Sequence, residues 1–455
     1  METSISASPA ASCMLSHPLT SLTPELKYAI FMCLPDVPSA KALALVSFSF
    51  YHTFLDAQSL ILSQMLQNEM STEMLRDSLT ALQVSQIQVW SKSAVFNILD
   101  GYFAGSLDHK LHKWRLSEAL AASKIHQCVE FFATEFAASA LSENPTVRGA
   151  NAAPTFSEMR RIKLTLHRFE LYCNIFRRPG HDRMVRNKLD RNRLIRPDPI
   201  SAQEQRNVFF DKFSPWEIEQ LGCIHDYLVQ EITTPFNDVA KHDVDWGELS
   251  IPYIDDGESD RIYHNSRKES YLARGLEFLY RLVTANTYDA RHDILEEPNP
   301  EPCRKRMSRD SLSDVLRSQI EGDGVPLKYY TEEEEELHVR PAFNSDNDCG
   351  PMEAWRWAHS ESTRGQFYFR RDHGPLRQRG YVMWDLKRLI DWHLTEKPVR
   401  DIISRRRLDY FGLKEKDAEW REQSESWKER SRIWQKGGRG WWAPGDESHI
   451  RWPPS

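Results

Sequence analysis

The segment LTPELKYAIFMCLPDVPSAKALALVSFSFYHTFL, Leu22 to Leu55, carries three helical patterns in succession, separated by proline-marked turns. Leu26, Ile30 and Leu34 recur at i, i+4 and i+8, one face of a first helix over Pro24 to Leu34. Thr23 suits its N-cap, and Pro24 suits the first helical position, where no N–H is needed. Pro35 and Pro38 break the pattern. A second helix over about Ser39 to Val46 presents Ala40, Leu43 and Ala44, and a third over about Ser49 to Leu55 presents Phe50, Tyr51 and Phe54. Helical windows continue at Ser59 to Met70 and Val84 to Leu99. Ser117 to Leu141 reads as one long helix with Leu120, Val129, Phe132 and Phe136 toward a core. Strand patterns are confined to Gln366 to Phe369 and Tyr381 to Trp384, which could pair across the loop between them. The expected class is mainly α with minor β.

Outward from this segment, composition divides the 455-residue chain. Residues 1–17 are rich in Ser and Ala and read as a disordered tail, 18–70 form the three-helix motif, and 71–150 form a helical region. A Ser/Asn/Pro/Gly/Ala-rich break at Ser142 to Pro154 marks a boundary. A second helical region, 151–295, has its best-marked start at Phe213-Ser214-Pro215-Trp216-Glu217-Ile218. There Ser214 and Glu217 make a capping box, Pro215 sits at the first helical position, and Phe213 with Ile218 suits a hydrophobic staple. Ile218, Leu221, Leu228 and Ile232 extend this helix to Pro235, and Ser270 to Val283 is a further amphipathic window. Residues 296–350 have a linker's composition, acidic at Glu332 to Glu336, with a short helix near Leu312 to Ile320. Residues 351–455 hold ten of the 14 tryptophans, and a charged helix running from after Asp401 to Gln435 stops at Gly437-Gly438.

Hydrophobic residues at 40% supply enough apolar side chain for sizeable cores, and a formal charge of -7 gives no global attraction to nucleic acid or anionic membrane. The seven cysteines are odd in number, widely spaced and contain no CxxC pair. That argues against a disulfide framework and against a structural zinc site. No apolar run approaches the roughly 18 residues of a membrane span. The N-terminus lacks a basic region followed by an apolar core, so no secretory signal is expected, and cytosol or nucleus follows by elimination.

Leu22-Thr23-Pro24-Glu25-Leu26, Ile30-Phe31, Leu34-Pro35, the turn Asp36 to Ser39, Leu43 to Val46 and Phe48 to Tyr51 together resemble an F-box. More closely, they resemble the F-box-like segments that open many proteins of filamentous fungi and often continue into a helical body. The resemblance covers about Ser21 to Leu60. It implies a non-catalytic adaptor that binds the Skp-type subunit of a cullin-RING (SCF) ubiquitin ligase and presents a client protein. By position it implies that Leu22, Pro24, Leu26, Ile30, Leu34 and Pro35 face that subunit, with Leu43 and Val46 in support. The leading proline is displaced by one residue, with Thr23 in its place. Ser47-Phe48-Ser49 lacks the family's cysteine and basic residue, and Leu60 or Ile61 replaces its trailing tryptophan. The alternative is a helical scaffold in which this segment is only structural. No repeat array that would declare a client class is present.

Motifs of catalysis are missing. Gly322-Asp323-Gly324 and Gly437-Gly438-Arg439-Gly440 lack the strand-to-helix setting and the lysine of a phosphate-binding loop. Neither G-x-S-x-G nor H-E-x-x-H occurs. The reading therefore assigns no catalytic, cofactor or metal residues. His-Asp neighbours recur at His181-Asp182, His225-Asp226, His242-Asp243 and His292-Asp293, a pairing that all-helical HD-type hydrolases use to bind metal. Only His225-Asp226 falls on a well-marked helix, and the more ordinary role is a hydrogen-bonded core histidine.

Two patches could bind partners. Glu158 to Pro197 holds twelve Lys or Arg against four acids, and Asp243 to Asp260 holds seven acids and no Lys or Arg, so mutual charge complementarity is expected. Leu413, Trp420, Trp427 and Trp434 recur every seven residues, a narrow stripe expected to pack on the protein's own body.

Overall fold

The computed structural model describes residues 18–87, 90–106, 112–144, 153–176, 185–186, 194–195, 200–254, 263–297, 311–317, 324–403 and 410–454. The tail 1–17, most of the basic run beyond Phe176, His181-Asp182, Gly322-Asp323 and the side chain of Leu413 lie outside the described residues. The fold is mainly α: the described residues form 21 α-helices and two two-stranded ladders. The chain falls into two compact units, residues 1–75 with 108–124 and residues 76–107 with 125–455.

The first unit begins with α1 (Pro24–Met32), α2 (Val37–Ala44), α3 (Phe48–Asp56) and α4 (Gln58–Glu69). The turns between them are set by capping. Asp36 accepts from the Ser39 amide at 2.7 Å to start α2, and Ser47 accepts from the Phe50 amide at 3.3 Å to start α3. The core is aromatic. Phe31 of α1 lies against Phe50 and Phe54 of α3, with ring centroids 6.0 and 5.8 Å apart, over Ile61, Leu62, Met65 and Leu66 of α4. Two polar contacts from α4 hold the α1–α2 turn: Glu69 accepts from the Val37 amide at 2.8 Å, and Asn68 donates to the Leu34 carbonyl at 3.0 Å.

Helices α5 (Thr72–Ser85) and α7 (Leu116–Ser142) contribute residues to both units, and α6 (Lys92–Phe103) belongs to the second. The single helix expected over Val84 to Leu99 is in fact two. Ser91 accepts from the Ala94 amide at 3.2 Å and so caps a fresh start at α6. Val129, Phe132 and Phe136 of α7 are buried as expected, and Leu120 is half-buried. The break at Ser142 to Pro154 falls within the second unit.

The second unit is organised around α10 (Pro215–His242), which follows α8 (Phe156–Phe176) and α9 (Ala202–Val208). The capping box forms as its sequence prescribes. The helix then runs on through Pro235 to His242. Phe236, Val239 and Ala240 continue its buried face, and this packing outweighs the one backbone bond that proline removes. Next come α11 (Val244–Glu248), α12 (Tyr263–Leu272), α13 (Leu276–Thr284) and α14 (Tyr288–Glu296). The window Ser270 to Val283 is split at Gly275, whose φ of 86° ends one helix and opens the next.

The described part of 296–350 is built into this unit instead of forming a linker. Leu312, Val315 and Leu316 of α15 (Leu312–Arg317) are buried, as is Leu327, and only α16 (Glu332–His338), the acidic run, buries nothing. The C-terminal part adds α17 (Gly350–His359), α18 (Gly374–Gln378), α19 (Leu386–Asp391), α20 (Val399–Ile403) and α21 (Tyr410–Gln435). The two strand patterns there form turns, not a hairpin. Tyr381, Val382, Met383 and Trp384 are all buried, so no polar face alternates with an apolar one to direct a strand. The ladders are β1 (Val185–Arg186) with β2 (Leu194–Ile195), and β3 (Arg439–Gly440) with β4 (Ile450–Arg451).

Arg430 of α21 is fully buried, and its guanidinium donates to the carbonyls of Ala240 and Asp243, each at 2.8 Å, capping the C-terminal end of α10. Gly247 of α11 makes room for it, since a Cβ there would stand 2.4 Å from the Arg430 Cβ. Gly247→Ala is expected to cost about 1–3 kcal/mol through overpacking. Gly222→Ala, whose nearest new neighbour would be the Arg377 Cδ at 3.3 Å, should cost less. Thermal unfolding of both variants checks the order.

Candidate functional site

None of the eight side chains assigned by resemblance is buried. Pro24, Leu26, Pro35 and Val46 are exposed, while Leu22, Ile30, Leu34 and Leu43 are half-buried. The reason lies in helix geometry. On α1 the core is reached by Lys27 and Phe31, which turns Leu26 and Ile30 away from it. On α2 it is reached by Val37, Ala40 and Ala44. Lys27 enters the interior because its ammonium finds the Ser49 hydroxyl, at 2.5 Å, and lies 5.7 Å from the Phe50 ring centroid.

The apolar surface extends beyond the eight. Leu45, Phe48, Tyr51, Leu55 and Leu60 are exposed as well, Phe48 at 78%. Of the three aromatic residues that the third helix presents, Phe50 and Phe54 are buried and Tyr51 is exposed. Phe48, Tyr51 and Leu55 stand at i, i+3 and i+7, a second stripe on a helix whose first stripe already fills the core. Of the sixteen large hydrophobic side chains exposed in the described chain, eight fall between residues 19 and 60, so the exposure is concentrated there.

In the second unit the described His-Asp neighbours are engaged by nearby side chains and backbone. His225 is buried with both ring nitrogens engaged: Nε2 lies 2.7 Å from a Glu269 oxygen and Nδ1 lies 3.0 Å from an Asp226 oxygen. Burial opposes a charge on this ring, but Glu269 and then Asp226 outweigh it and push its pKa up to about 9. A doubly protonated ring between two carboxylates has no lone pair for a metal. Arg377 completes the cluster, donating to Asp226 at 2.5 Å and to Glu219 at 3.2 Å. His242 engages the Trp442 carbonyl at 2.9 Å, and His292 lies 3.3 Å from Asp243. Among the described residues no three His, Cys, Asp or Glu side chains are placed to hold a metal ion.

The basic run is likewise consumed internally where it is described. Arg161 contacts Asp346 at 2.5 Å and Asp385 at 2.7 Å, Lys163 meets Glu130 at 2.6 Å, and Arg168 meets Glu217 at 3.1 Å. These partners are not among the described acids of the acidic stretch 243–260, Asp243, Asp245 and Glu248, while Asp255 to Asp260 and the basic side chains from Arg177 onward lie outside the described residues. The tryptophan stripe packs on α11 and the loop after it. Trp434 donates to Asp245 at 2.7 Å and Trp427 to the Ile251 carbonyl at 3.1 Å. No helix among the described residues is long and apolar enough to cross a membrane. No family model matches the sequence, and neither a curated protein nor a solved structure matches it significantly.

The buried histidines set opposite pH limits. Burial, then Arg370 and Arg377, push His373 down to about 3. Its unfolded value is about 6.5, so the unfolded state takes up the proton first and stability falls as pH drops below that value. For His225 the sign reverses. Its contribution is present in full below about pH 6.5 and is lost as pH rises through about 9. Urea unfolding across pH should show His373→Leu flattening the acid limb and His225→Gln flattening the alkaline limb.

Proposed function

We propose that this protein is a non-catalytic F-box-like adaptor whose first unit binds the Skp-type subunit of a cullin-RING ligase, with the second unit available to a client protein. The observation that carries this reading is the placement of the motif's apolar side chains. The three helices bury Phe31, Phe50 and Phe54 and leave Leu26, Val46 and Pro35 outside. A surface of this kind fits recognition by spaced apolar anchors entering a partner's groove. The low charge of α1 to α3, with Glu25, Lys41 and Asp56 as their solvent-facing charges, suits a surface desolvated on binding.

A second reading has an observation of its own. Ile30, Leu34 and Leu43 are half-buried and share in the unit's own packing. That favours a helical scaffold in which the segment is structural.

The two are separated by binding of a purified Skp-type subunit to the full chain. Leu26→Asp should weaken binding by at least about 30-fold, the loss of a central anchor worth ~2 kcal/mol. The helical circular dichroism should be unchanged, because Leu26 is 52% exposed. Ile30→Asp should weaken binding with a modest loss of stability. Unfolding by Leu26→Asp, or no binding by the intact chain, assigns the segment to the scaffold.

A further inference from the structure

A pocket of about 50 Å³ lies between α7, α10 and the end of α18, within the second unit. Its polar wall consists of oxygen-bearing side chains: Ser139 and Glu143 at the end of α7, Tyr227 and Gln230 of α10, and Gln378 of α18. The volume suits one small ion or one or two waters and excludes larger ligands.

One oxygen in the wall of this pocket has unspent hydrogen-bonding capacity, and a second belongs to the residue after Glu143. Tyr227 is 7% exposed, and its buried hydroxyl has no hydrogen-bond partner. Asn144 donates from Nδ2 to the Ala140 carbonyl at 2.7 Å and to the Arg379 carbonyl at 3.0 Å, which fixes the amide's orientation. Its Oδ1 is left buried and unpartnered. Ala140 lines the pocket, and Arg379 follows Gln378. Buried oxygens without partners are uncommon in folded proteins, and the Tyr227 hydroxyl, on a residue that lines the pocket, points to a bound group that satisfies it.

The local charge gives the sign of that group. Glu143 lines the pocket, and the charges of Glu231 and Glu135 both act on the Tyr227 hydroxyl. None of these three glutamates is ion-paired among the described residues. Burial, then Glu135, raise the Glu231 carboxyl above its ordinary range, as expected where negative charge is uncompensated. The wall offers no nitrogen or sulfur ligand of the kind that selects zinc or copper, and it has one carboxylate among neutral oxygens.

We propose that this pocket binds a small monovalent cation, of potassium or ammonium size, through the oxygens of Ser139, Tyr227, Gln230 and Gln378, with Glu143 supplying the balancing charge. The bound cation would tie α10 to the end of α7 and stabilise the native state by linkage.

Thermal unfolding of the full chain tests this in the chlorides of potassium, ammonium, sodium and tetramethylammonium at one ionic strength. Tetramethylammonium is too bulky for the pocket and serves as the reference. The expected result is a saturable rise in Tm of about 2 °C or more with potassium or ammonium. That rise should be absent in Glu143→Gln and in Tyr227→Phe, and the potassium and ammonium arms show which ion fits. Equal Tm in all four salts overturns the proposal. So does a rise that persists undiminished in both variants, or one produced only by sodium.

Discussion

The second unit depends on one buried carboxylate. Glu217, in the first turn of α10, accepts from its own N-cap, the Ser214 amide at 3.0 Å and hydroxyl at 2.9 Å. It accepts from the Arg168 guanidinium of α8 at 3.1 Å, and from the amides of Phe343 and Asn344 at 2.8 and 3.2 Å. A local capping motif thereby becomes a junction between three distant parts of the chain. Its charge sits at a helix N-terminus and against a guanidinium, so both the helix dipole and a counter-ion offset its desolvation. Removing one partner would leave a charge buried and uncompensated, whereas the complete set is balanced.

The same logic recurs across the unit. Glu158 accepts from Arg388 at 2.8 Å and closes α8 against α19. Arg161 holds Asp346 and Asp385, and Arg430 caps α10 from α21. Each guanidinium is buried and divided among several oxygens, which its planar fork of donors allows and a lysine would not. The polar interior specifies which helices meet, while the aromatic residues around it supply the burial.

How much of this is legible in sequence follows from the range of each signal. The start of α10 is legible because a capping box, a proline and an apolar stripe are local and agree. Its extension through Pro235 is not, because it depends on what Phe236 and Val239 meet in space. The basic run from Glu158 gives its charge but not its partners, and the carboxylates that meet the described Arg161, Lys163 and Arg168 lie between 33 and 224 residues away along the chain. Ser91, inside the single window read over Val84 to Leu99, marks a cap only once the helix it starts is known. The apolar segment Tyr381 to Trp384 lacks any periodicity, and its turn is set by surroundings that no window of sequence contains.

The N-terminal segment shows a different limit. Sequence periodicity identifies apolar stripes but not which stripe is the inner one when a helix has two. On α3, Phe50 with Phe54 and Phe48 with Tyr51 and Leu55 are equally good candidates for a core. The structure resolves this through volume, since Phe31 has space for the first pair and the second is left in solvent. A unit with so few helices cannot bury both. An apolar surplus that folding cannot use therefore stands in solvent on one face of the helix, at a cost in solubility.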